Sequence, residues 1–122
     1  MGKLLIERIK STDVECRITA IGTNSIATSV MLKAGADSGA TGENAVIVAC
    51  RDADIIIGPI GIVVADSLLG EISPAMAVAV GQSKAKKLLL PVNLCNNIIV
   101  GTSSLPLSKL IAEAVDQLIT VS

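Results

Sequence analysis

The chain has 122 residues and a formal net charge of −1, is 51% hydrophobic, and contains no Phe, Tyr, Trp or His. That length suits one domain; the balanced charge offers nucleic acid no basic patch, and the lack of aromatic rings removes any base-stacking platform. Without histidine, Ser-His-Asp and Cys-His pairs cannot form within one chain and imidazole metal ligands are excluded, so acid–base chemistry falls to Asp, Glu, Lys or Cys.

The core must be built from Ile, Leu, Val, Ala and Met. Aliphatic runs punctuated by glycine suit strands buried on both faces of a parallel sheet. The longest apolar stretch, 55–65, is interrupted by "GPIG" and is too short to span a bilayer. Cys16, Cys50 and Cys95 are odd in number and show no CxxC spacing, which favours reduced thiols and a cytoplasmic protein. The opening "MGKLLIERIK" reads as an amphipathic helix rather than a signal peptide, with Leu4, Leu5, Ile6 and Ile9 on one stripe.

"VECRITAIG" (14–22) alternates as a strand, and "SIATSVMLK" (25–33) follows as a helix capped by Thr23 or Asn24 and stopped by Gly35. A loop, "GADSGATG", joins it to a second helix, "ENAVIVACRD". A buried strand at 54–57 ends at Gly58, and 63–70 is expected to be a short helix. Ser73 and Pro74 start the helix "PAMAVAVGQS". "AKKLLLPV" and "NNIIVGT" read as the last two strands, and "LSKLIAEAVDQLI" as the final helix. Strand and helix therefore alternate, as in an α/β domain, although beginning such a fold with a helix is unusual.

Four segments carry a resemblance to a known family: "IGTNSIATSVMLKAGADSGATGENA" (21–45), "ADIIIGPIGI" (53–62), "GEISPAM" (70–76) and "LLLPVNLCN" (88–96). Together they resemble an uncharacterised bacterial family of Rossmann-like domains of unknown function. Members of that family usually open with a strand and a glycine-rich turn of the D-G-Q-G-G-G-x-G type, of which Gly2 matches the last glycine. The resemblance thus implies a three-layer Rossmann-like α/β domain over residues 1–122, with helices on both faces of a mostly parallel sheet of about four strands. It also implies that the first, central strand is missing, leaving its neighbours with unpaired edges and favouring a homo-oligomer. It implies no cofactor and no activity.

Candidate contacts lie in loops at the carboxyl ends of strands. "GATGEN" has the glycines and the Thr41 hydroxyl of a phosphate cradle, but Asp37 and Glu43 repel an anion and no GK[ST] follows. Three readings stay open for it: a helix cap made by Thr41, contacts from Thr41, Glu43 and Asn44 to hydroxyl and amine groups, or a phosphate held despite those acids. Thr23 and Asn24 either cap a helix or bind a ribose diol. Gly58 and Gly61 either shape a bend or let a ligand approach closely. Asn93, Cys95, Asn96 and Asn97 form a polar cluster in which Cys95 has no evident activating partner, and Glu71 is either a base or a helix-start residue. The expected function is binding of a small polar or nucleotide-like ligand. The competing reading is a non-catalytic oligomeric module of structural or regulatory role.

Overall fold

The computed structural model describes residues 1–92, 94 and 96–122. Helix α1 (Gly2–Lys10) buries Leu5, Ile6 and Ile9 along one stripe. Strand β1 (Thr19–Gly22) leads into α2 (Ser25–Lys33), and β2 (Ser38–Thr41) into α3 (Glu43–Asp52). Strand β3 (Ile55–Pro59) runs into a 3-10 turn, Ile60–Val63, followed by α4 (Pro74–Gln82), β4 (Lys86–Leu90) and α5 (Leu107–Val121). This is a mixed α/β fold with short parallel strands.

Those strands form two separate parallel pairs rather than one sheet of four. β1 pairs with β2, Thr19 opposite Ser38, and β3 pairs with β4, Ile55 opposite Lys86. The helices tie the pairs together. On one side α2 packs on β1 and β2, α5 packs on β4, and α1 lies between α2 and α5; elsewhere α3 packs on the first pair and against α4. The main core gathers Leu5 and Ile9 of α1, Leu90 of β4, and Ile111, Ala114, Val115 and Leu118 of α5. A smaller one joins Ile72 to Met76 and Ala77 of α4.

Three expectations need correction. The strand read at 14–22 is only β1. Its partner β2 is four residues long, and the Ile18 N–H goes to the Asp37 carboxylate (2.7 Å) instead of continuing a ladder. "GADSGATG" is not merely a loop between helices, because β2 lies inside it. "NNIIVGT" is not a strand: among the described residues it pairs with no other, and a turn closes at Thr102, whose N–H donates to Ile99 O.

The helix expected at 63–70 also does not form. After the 3-10 turn the backbone passes through left-handed positions at Asp66, Leu68, Leu69 and Gly70, with φ between 55° and 82°. The segment closes on itself instead, with Asp66 N–H donating to Ile72 O (2.7 Å) and the buried Ser67 hydroxyl to Gly61 O. That closure buries Ile72, an apolar gain that offsets the strained backbone.

The Asp37 contact has a pH signature. Its carboxyl is held below the usual aspartate range by the Ile18 N–H first, then by Lys10 and Arg17, with desolvation opposing. A carboxyl depressed in the folded state stabilises above its unfolded pKa, and that contribution disappears as pH falls through the folded value. Wild type should therefore melt above Asp37→Asn at pH 7, with the gap closing as pH falls below the ordinary aspartate value. A gap that persists in acid would rule out the carboxylate charge as its source.

Candidate functional site

The carboxyl ends of β1 and β2 bring five of the candidate residues together. Gly22 and Thr41 are register partners, and Gly42 N–H donates to Gly22 O (3.0 Å), so the loops Thr23–Asn24 and Gly42–Asn44 start side by side. Each begins a helix. Asn24 caps α2, its Oδ1 accepting from Ala27 N–H (2.9 Å), as the sequence allowed; Thr23 beside it is half-buried.

Thr41 does not cap α3. The cap position is Gly42, at φ 95°, and no side chain bonds the first turn. The Thr41 hydroxyl instead meets the Thr28 hydroxyl at 2.8 Å. Thr28 is a buried polar residue of α2, and its Oγ1 also lies 3.2 Å from Asn24 O and 3.3 Å from Ala40 O. One hydroxyl thus connects α2, its own cap residue and β2. Sequence inspection missed Thr28 because a threonine in a helix is commonplace. The available signal was the two glycines, Gly22 and Gly39, that make room for it: a Cβ on Gly39 would come within 3.0 Å of its Cγ2.

Glu43 and Asn44 are exposed in the first turn of α3, and Asn24 is exposed across from them. The rim therefore presents a carboxylate, two amides and the unshielded N–H groups of the α3 start. Gly58 and Gly61 lie apart, at the end of β3 in the other pair. The space beside each is taken by the chain itself, since a Cβ on Gly58 would sit 3.0 Å from Ile62 Cδ1 and one on Gly61 would sit 3.0 Å from Ser67 Oγ.

The remaining candidates fall elsewhere. Asn93 and Cys95 lie outside the described residues. Cys50 is buried in α3; burial pushes its thiol pKa up, and the nearby Lys87 only partly opposes that, so it is not an activated nucleophile. Glu71 is exposed before α4, whose cap is Ser73 Oγ accepting from Met76 N–H (3.2 Å) with Pro74 at the first position. The lysines of "KAKK" stand at the amino end of β4, where Lys87 Nζ donates to Ser83 O (2.6 Å) and Ala85 O (3.2 Å). Among the described residues no helix is long and apolar enough to cross a membrane.

Fold and rim together define a small mixed α/β protein whose helix-starting loops gather polar side chains at the end of a parallel strand pair. The chain belongs to the family described as domain of unknown function DUF3842, whose model matches residues 1–122. No significant similarity joins it to a curated protein or to a solved structure. Membership assigns no specific function.

Proposed function

We propose that the rim at the end of β1 and β2 binds a small polar, nucleoside-like ligand through hydroxyl and amine groups. The observation that carries this reading is the juxtaposition of exposed Asn24, Glu43 and Asn44 on two adjacent helix starts, the second of which lacks a side-chain cap. Thr23 and Thr41 flank them. Glu43 supplies an acceptor for a diol or an amine, and its charge disfavours a phosphate at the same helix end. Gly58 and Gly61, expected as a close-approach floor, lie in the other strand pair with the chain packed against them and are left out of the reading. The protein is taken to be cytoplasmic, in line with three cysteines that are odd in number and without CxxC spacing.

Adenosine should raise the melting temperature of the wild type more than AMP does. Glu43→Gln should melt within a few degrees of wild type alone, because Glu43 is exposed and only its charge at the α3 start is lost, yet lose most of the adenosine shift. No shift in the wild type with adenosine or free ribose, or an equal shift in Glu43→Gln, would sink the ligand reading. A second reading, a non-catalytic oligomeric module, is favoured by one separate observation: among the described residues each of the four strands has one edge without a ladder partner.

A further inference from the structure

The hydrogen bonds around Thr28 have a direction. Its hydroxyl, on a residue only 6% exposed, carries one hydrogen and lies within reach of three oxygens: Asn24 O at 3.2 Å, Ala40 O at 3.3 Å and Thr41 Oγ1 at 2.8 Å. The two carbonyls can only accept, so Thr28 gives its hydrogen to them. The short contact to Thr41 is then made by the hydrogen of Thr41, pointing inward. The reverse assignment would set the Thr28 oxygen against two carbonyl oxygens in a buried corner with no hydrogen between them. Because Asn24 O and Thr41 Oγ1 both touch this one atom, the two residues are neighbours at the rim.

We propose that this polarity makes the rim select its ligand by hydrogen-bond donors, taking the amino edge of an aminopurine-type base, a refinement that rests on the ligand reading of the same rim. Thr41 is exposed, and with its hydrogen committed to Thr28 its oxygen meets a ligand as an acceptor only. Glu43, exposed at the start of α3, is an acceptor too as a carboxylate. Asn24 is the complement: its Oδ1 holds Ala27 N–H, which leaves Nδ2 to donate. Two acceptors and one donor match an amino group beside a ring nitrogen. The amino hydrogens go to Thr41 and Glu43, and the ring nitrogen accepts from Asn24. An oxopurine reverses both positions, setting a carbonyl against two acceptors and an N–H against the amide donor. Thr28 touches no ligand; it is a positioning residue that fixes which way the Thr41 hydrogen points.

Adenosine and inosine differ at these two positions and share the ribose. Isothermal titration of the wild type should give adenosine a Kd at least about tenfold below that of inosine. Thr28→Val should lose that preference, because the freed Thr41 hydrogen can turn toward either base, while Thr28→Ser should keep it. Should Thr28→Val misfold, Thr41→Val removes the acceptor itself and should bring adenosine affinity down to that of inosine. Neutron diffraction, which needs no ligand, should place the Thr41 hydroxyl deuterium on the line to Thr28 Oγ1. Equal affinity for the two nucleosides, or for adenosine and free ribose, leaves the ligand reading standing and overturns the donor selection. So does a preference that survives Thr28→Val or Thr41→Val. A Thr28 deuterium aimed at Thr41 overturns it whatever binds, and no binding of adenosine, inosine or ribose overturns both.

Discussion

Gly22→Ala will destabilise the protein by about 3 kcal/mol, a fall in melting temperature of roughly 10 °C. A Cβ at that position would overlap the Thr28 hydroxyl and sit 2.7 Å from Thr28 N and 2.9 Å from Asn24 O. Two of the three obstacles are backbone atoms of the α2 start, so no rotamer change relieves them. The helix must shift away from β1, pulling the Thr28 hydroxyl off Ala40 O and Thr41 of β2, while its contact to Asn24 O moves with the helix. A buried polar group left unsatisfied costs about 1–3 kcal/mol, which supports the upper end of the overpacking range. Gly81→Ala is the control. Gly81 lies in α4 with nothing within 4 Å of a built Cβ, so the same change should stabilise by about 0.5–1 kcal/mol. Thermal melts of the two variants should move in opposite directions; a Gly22→Ala melt equal to wild type would show that the α2–β1 packing is looser than described.

The same corner shows what could be read from sequence and what could not. Asn24 before α2 and Ser73-Pro74 before α4 were legible because capping is local chemistry: a side-chain oxygen two or three residues ahead of a free N–H. The amphipathic stripes of α1 and α5 were legible through their period. β2 was not. "SGAT" has little strand propensity and is mostly exposed, and it is extended only because β1 offers a ladder nineteen positions earlier in register. "IIV" at 98–100 misled in the opposite sense, having propensity but no partner among the described residues. Thr41 shows the limit for side chains. Its position before a helix suggested a cap, but the chain places the glycine one residue later at the cap and turns the hydroxyl toward Thr28. Long-range pairing, which spacing along the chain does not encode, decided all three. The candidate rim was legible as a set of residues; which hydroxyls it leaves free for a ligand was not.

Leu90→Ala should be the most damaging truncation in the larger core, costing about 2–5 kcal/mol out of a total of about 5–15 kcal/mol for a domain this size. Leu90 ends β4 at 3% exposure and packs in the cluster with Leu5 and Ile9 of α1 and Ile111, Val115 and Leu118 of α5. The composition sharpens the effect. With no Phe, Tyr or Trp in the chain, the neighbours are branched aliphatics of limited reach, so the void left by the lost methyls cannot be refilled by a ring rotation. The cluster also links α1 to the β3–β4 pair. Because α1 carries the contacts to α2, loosening it weakens the connection between the two strand pairs as well as the local packing. The urea midpoint should therefore fall sharply. If the pairs unfold as one unit the denaturant slope stays near its wild-type value, whereas decoupling lowers it. Leu69→Ala, at a fully exposed leucine, should change stability by less than about 0.5 kcal/mol. A Leu90→Ala midpoint close to that of Leu69→Ala would mean that α1, β4 and α5 do not form the cooperative core, and that the two pairs are held together from the α3–α4 side instead.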